Sequence, residues 1–268
     1  MHIDELLSQL SHSAQAEGPA VMTIDKSWTQ GRTAFGGISA ALTYASMKNK
    51  VAEGRVLRSF SCNFVGPLGA DTPFEIHATM LREGKNVSQV TGEIRQDGKT
   101  CLMAQACFGE GRESKIRVEN QDTHNMQVPA KPKFLPYIPK VTPKFLKHVD
   151  LAIVHGGLPF TNSKVSDVHG WMRFKKPPQT VTDAHLIALI DAWPPTILQM
   201  LRWPSPASTV SWNIEFIHPH APVEPTDWFA YQAHTRQAAE GYGHTEANIW
   251  DARGELVALS RQTVAVFD

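Results

Sequence analysis

The chain has 268 residues, enough to bury a sizeable core, and its 26 basic side chains balance 26 acidic ones. A net charge of zero excludes a general polyanion binder, although a single phosphate clamp stays compatible with it. Cys62, Cys101 and Cys107 are odd in number and form no CxxC, which argues against a secreted disulfide framework.

The opening stretch MHIDELLSQL carries two acids and no basic run, so a signal peptide is not expected. No run of eighteen apolar residues lacks a charge or a proline pair, so a membrane span is not expected either. The expectation is a cytoplasmic protein with neither membrane nor nucleic acid as partner.

The first helix candidate is FGGISAALTYASM (35–47). A strand ending in proline, SCNFVGP (61–67), follows it, and then the longer segments FEIHATMLR (74–82) and QDGKTCLMAQACF (96–108). The turn RQDGK (95–99) has hairpin chemistry. Composition then shifts: residues 110–146 hold Pro129, Pro132, Pro136, Pro139 and Pro143 among lysines and polar residues, as in a semi-rigid linker or a surface strap.

Beyond the linker the chain repeats itself. NIEFIHP (213–219) resembles SCNFVGP at an offset of 152, WFAYQAHTR (228–236) resembles FEIHATMLR at 154, and 251–267 resembles 96–108 at 156. Hairpin-loop differences of a residue or two account for the drift. One apolar helix followed by antiparallel strands, stated twice, predicts an α+β architecture of two curved sheets, each wrapped on a helix. The division reads as an N-terminal unit 1–110, a Pro/Lys-rich linker 111–150 and a C-terminal unit 151–268, packed as a pseudo-dimer.

The second helix candidate poses the functional question. HLIALIDAWPPTILQML (185–201) is apolar on nearly every face, yet Asp191 sits in its middle with Pro194 and Pro195 just behind. A buried carboxylate is costly unless paired, hydrogen-bonded or protonated. Asp191 either caps a new helix beginning at Ala192 or is retained as a base whose basicity burial raises.

The order and spacing of these stretches resemble the acyl-CoA thioesterase II (TesB-like) group, proteins with two fused hotdog domains. The resemblance spans most of the chain. It rests on FGG (35–37), SFSCNFVGP (59–67) and REGKNVSQVTGEIRQDGK (82–99) in the first half. In the second it rests on WMRF (171–174), IALIDAW (187–193), STVSWNIEFIHP (208–219) and GELVALSRQ (254–262). It implies a double hotdog fold and hydrolysis of acyl-CoA to free CoA and a carboxylic acid, with acyl-CoA as the partner and no cofactor or metal. A homo-oligomer, dimer or tetramer, is compatible with it.

The family's catalytic set is an aspartate on the C-terminal helix, a Thr or Ser on the next strand and a glutamine on the last strand. Carried over, these are Asp191, Thr209 and Gln262. One departure bears on acyl-chain preference: where family members commonly carry Asp-His, this chain has Ser211-Trp212. Strict alternation would put Thr209 with Ser211, Asn213 and Glu215 on one face, opposite Val210, Trp212 and Ile214. Gln262 would share a face with Ala258, Val264 and Val266. At the corresponding first-half positions stand Leu57 and Ala106, and the segment 35–39 opposite Asp191 holds no acid, so one site per chain is expected. Gly36 and Gly37 could present helix N-terminal amides to a thioester carbonyl as a substrate-binding element, or simply allow close helix packing; both readings stand.

Two motifs stay outside this scheme. HPH (218–220) offers two imidazoles with no third ligand at useful spacing, which favours a surface loop over a metal site. RFKK (173–176) could meet phosphates but reads better as a solvated strand end. Two readings compete with the hydrolase: a non-catalytic acyl-CoA binding protein and a hotdog enoyl-CoA hydratase. The hydratase would need a histidine shortly after the aspartate, and AWPPT follows Asp191.

Overall fold

A computed structural model describes residues 1–13 and 18–267. The chain opens with helix α1 (Ile3–Ser13), whose Ile3, Leu6 and Leu10 point into the core. Strand β1 (Ala20–Met22) and the short β2 (Thr29–Gln30) and β3 (Thr33–Ala34) lead into α2 (Gly36–Lys48). Strands β4 (Val56–Phe64), β5 (Phe74–Glu83), β6 (Val87–Gln96) and β7 (Lys99–Gly109) complete the first half. The second half runs β8 (Val149–His155), β9 (Val168–Phe174), α3 (Asp183–Ile190), β10 (Ala207–Phe216), β11 (Phe229–Ala239), β12 (Tyr242–Trp250) and β13 (Leu256–Val266).

Eleven strands form one continuous sheet in the order β1-β5-β6-β7-β4-β10-β13-β12-β11-β9-β8. Read outward from its middle, that order is the same on both sides: β4, β7, β6, β5 on one flank and β10, β13, β12, β11 on the other. The flanks meet antiparallel, with Ser61 opposite Asn213, Phe60 opposite Ile214 and Cys62 opposite Trp212. Ser61 and Asn213 are repeat mates at offset 152, so the approximate two-fold axis passes between them. This is the double hotdog architecture. Helices α2 and α3 pack against each other within the wrapped sheet, and both are buried on nearly every face.

The strand pairing reproduces the repeat residue by residue and adds a feature that alternation alone does not give. In the second half Trp212 pairs with Gln262, Ser211 with Thr263 and Thr209 with Val264, so Val210 is an extra residue in β10. In the first half Phe60 pairs with Ala106, Ser59 with Cys107 and Leu57 with Phe108, so Arg58 is the matching extra residue. A bulge reverses the facing of everything beyond it. Thr209 therefore shares the face of Trp212, Gln262 and Val264, not that of Ser211 and Asn213 as strict alternation predicts.

The expected helix over 185–201 is also shorter. It ends at Ile190, with Asp191 still in right-handed helical conformation (φ −75°, ψ −8°) as the C-cap. A 3-10 turn at Thr196–Met200 follows the two prolines. Asp191 thus closes one helix and does not cap another beginning at Ala192.

The Pro-rich segment straps the second half. The indole N–H groups of Trp250 and Trp171 donate to the carbonyls of Asp122 and Gln127 at 2.9 and 3.0 Å, and His124 packs edge-on against both rings. Near its end the strap enters the core, where Phe145 and Leu146 are 4 % and 1 % exposed. Phe145 stacks on Phe35, centroids 4.0 Å apart, immediately before α2.

Candidate active site

α3 ends where α2 begins. Burial is the largest influence on the Asp191 carboxyl and pushes its pKa up to about 7; the Gln262 side chain and the Gly37 backbone N–H oppose the rise. Gln262 Nε2 donates to Asp191 Oδ1 at 3.2 Å. The start of α2 carries no side-chain cap, so its amides are free to meet a carboxylate, and the positive end of the helix dipole adds to the attraction. Even so, desolvation prevails.

The glycines of FGG separate by role. A Cβ on Gly36 would lie 2.9 Å from Asp191 Oδ2 and 3.0 Å from the Phe64 ring, so only glycine lets the helix start reach the carboxylate. A Cβ on Gly37 would lie 2.5 Å from the Phe35 ring and 3.0 Å from the Ala188 carbonyl. Gly37 thus serves the α2–α3 contact, and its N–H faces Asp191.

A cavity of about 440 Å³ opens onto this arrangement. Asp191, Gly36 and Thr209 line it, the last because the bulge at Val210 turns its side chain inward. Phe64, Leu68, Leu102 and Trp193 supply apolar wall, and Val65 and Gly66 add backbone from the proline-ended strand of the other half. The volume is within the usual range for small-molecule sites, and both halves build it. Tyr231 stacks on Trp193 with centroids 5.0 Å apart and closes the region behind Asp191; burial, and after it the Asp191 charge, raises the Tyr231 pKa. Trp212, at the position of the family difference, is fully buried and donates to Ser260 Oγ at 2.9 Å.

Asp191 and Gln262 are in direct contact, and Thr209 and Gly36 share the cavity with Asp191. Sequence reasoning passed over Phe64, Val65, Gly66 and Trp193, because a wall assembled from two halves leaves no local pattern. RFKK is not part of the lining. Arg173 pairs with Asp150 at 3.4 Å and lies over the Trp228 ring, and Lys175 donates to the Leu146 carbonyl.

Comparison with known proteins decides the family. The acyl-CoA thioesterase C-terminal domain matches residues 121–266, and the acyl-CoA thioesterase N-terminal domain matches residues 24–109. The chain belongs to the acyl-CoA thioesterase family. Its members are thioester hydrolases, and the double hotdog fold is theirs. No curated relative matches by sequence. Among solved structures, a hotdog-fold protein of unknown function from Alicyclobacillus acidocaldarius is similar at 23% identity and TM-score 0.80, covering 96% of this chain and 97% of that one. A putative thioesterase II from Thermobifida fusca is 19% identical with TM-score 0.78, covering 97% and 98%. An acyl-CoA thioesterase II from Mycobacterium marinum is 20% identical with TM-score 0.71, covering 88% and 90%. At these identities the likeness concerns the fold.

Proposed function

We propose that this thioesterase hydrolyses acyl-CoA by direct water attack, with Asp191 as general base, Gln262 and Thr209 as the groups that orient the water, and Gly36 at the carbonyl. The observation that carries the proposal is the Asp191 carboxyl, held by Gln262 in the wall of a cavity it shares with Thr209 and poised near neutral pH. A base titrating close to the working pH is well matched to proton abstraction from water.

The ionised Asp191 takes a proton as the water oxygen bonds to the thioester carbonyl carbon. The oxygen that gains charge faces the uncapped start of α2, where amides and helix dipole favour it. Collapse of the tetrahedral intermediate breaks the C–S bond, and the proton passes from Asp191 to the departing CoA sulfur. The carboxylic acid and free CoA leave, and the base is restored. Gly37 has a different part: its N–H is turned to Asp191, so it holds the base and leaves the carbonyl to Gly36. The apolar wall suits an acyl chain. Among the described residues, none of the cavity-lining side chains is a histidine, which disfavours the hydratase chemistry.

Incubation with acetyl-CoA, octanoyl-CoA and crotonyl-CoA, followed by mass spectrometry, tests the reading. Free CoA from at least one of them is the expected product. Hydroxyacyl-CoA would instead establish a hydratase, and binding with no product would establish a binding protein.

A further inference from the structure

We propose that His218, His220 and Asp183 form a binding site for a divalent transition metal, best suited to zinc, at the pseudo-symmetric counterpart of the active site. Along the sequence HPH lacks a third ligand. The fold supplies one, because Asp183, the first residue of α3, lies beside the two histidines that follow β10. Each of the three side chains offers one ligand atom, and these atoms all lie within 4.8 Å of one another.

The two imidazoles are prepared for such a role. His218 Nε2 and His220 Nε2 are both buried and have no hydrogen-bond partner, a costly condition that a bound cation would relieve. His220 Nδ1 lies 3.2 Å from the Ala221 carbonyl. A carbonyl only accepts, so Nδ1 carries the proton and Nε2 presents its lone pair, the tautomer a metal requires. The rings lie 4.7 Å apart, centroid to centroid. Asp183 is supported in turn, since the Tyr44 hydroxyl donates to Oδ2 at 3.0 Å and so fixes the carboxylate's orientation. Two imidazole nitrogens and one carboxylate oxygen suit zinc, with bonds of about 2.0–2.2 Å and a fourth position open to water, whereas calcium and magnesium favour all-oxygen shells.

The location follows from the repeat. His218 is the mate of Gly66, and Leu57, whose backbone lies beside His218, is the mate of Thr209. Asp183 and Gly36 are the first residues of α3 and α2. Gly66, Thr209 and Gly36 line the catalytic cavity, so the mates of three of its lining residues converge on the HPH cluster. There Asp183 and His218 stand where Gly36 and Gly66 stand at the catalytic end, and His220 stands where Leu68 does.

The test is titration of the chelator-stripped, desalted full-length protein with Zn²⁺ alone, followed by calorimetry and by thermal unfolding. One equivalent should bind in the micromolar range or tighter, and the melting temperature should rise by several degrees at about 100-fold excess over Kd. Co²⁺ should give the visible absorption bands of a four-coordinate site. His220→Gln should weaken binding about 30-fold or more and abolish those bands, while chelation and His220→Gln both leave thioester hydrolysis unchanged. His169→Gln, in the separate Asp167–His169–His234 cluster, should leave binding intact. Absence of stoichiometric binding, or binding that survives His220→Gln and fails in His169→Gln, would overturn the proposal.

Discussion

Two ends of the same helix pair carry opposite chemistry. At one end, Asp191 on α3 lies against Gly36 at the start of α2; at the other, Tyr44 on α2 lies against Asp183 at the start of α3. Asp191 and Tyr44 are equivalent by count, each eight residues after its helix begins. The first end pairs a lone carboxylate with bare backbone and a cavity. The second satisfies its carboxylate with a phenol and closes the position above the bulge with Leu57, which is fully buried. A duplicated scaffold can therefore keep its bulges, prolines and helix seam at both ends, while a few side chains set the two ends apart.

Removing the base should have the largest effect. Asp191→Asn should lower kcat by about 10²-fold or more while the protein stays folded. It should also become more heat-stable than the parent as pH rises. The native Asp191 keeps its proton up to about 7, whereas an unfolded aspartate releases it near 3.8, so across that window the parent loses stability with rising pH and the Asn variant does not. Melting curves at pH 5 and pH 8 check this: the Asn-minus-parent difference should be larger at pH 8, and a constant difference would mean that Asp191 ionises normally.

Gly36→Ala comes next. Its Cβ would press on Asp191 Oδ2, so the displaced base should cost about 10- to 100-fold in kcat with little loss of fold. Giving the working end the residues of the silent one, Thr209→Leu or Gln262→Ala, should cost roughly tenfold each. Combined with Asp191→Asn, either should add little, because groups that position one water act as a unit. Steady-state kinetics of the single and double variants measure this directly, and full additivity would separate their roles.

The pH profile should be gentler but diagnostic. With the carboxylate form as the proposed base, kcat should rise with pH to a plateau through an apparent pKa near 7. The smallest effect belongs to the silent end. Leu57→Thr should leave turnover within about twofold and lower stability by about 1–3 kcal/mol, since it buries a hydroxyl where a methyl was packed. A gain of activity there would mean that the residue just beyond the bulge is enough to make the silent end work.

The sequence disclosed the repeat well, because a strand's period of two pins register once one face is buried. The pairings of Leu57 with Phe108 and of Thr209 with Val264 are the ones the offsets imply. It did not disclose the bulges, since Val210 and Arg58 are ordinary strand residues whose extra count shows only against a partner. The offsets also failed across the helices. They put the mate of Asp191 within 35–39, whereas counting from the helix starts gives Tyr44, because the connections to β4 and β10 differ in length. α1 is written in the spacing of Ile3, Leu6 and Leu10, the residues it buries. Asp191 was conspicuous because a carboxylate breaks an apolar run. Gly66 and Val65, which share its cavity from the other half, left no such mark.

The seam between β4 and β10 has a consequence for how the protein could be used. Residues 111–118 are exposed throughout, while the halves on either side share a continuous ladder, a helix pair and one cavity. A break in that exposed stretch would cut the covalent connection and leave the seam intact. Two separately expressed fragments should therefore recognise each other, and neither should hydrolyse a thioester alone, since the wall of the cavity comes from both. The molecule is in that sense a ready-made complementation pair, in which turnover reports that two polypeptides have found each other.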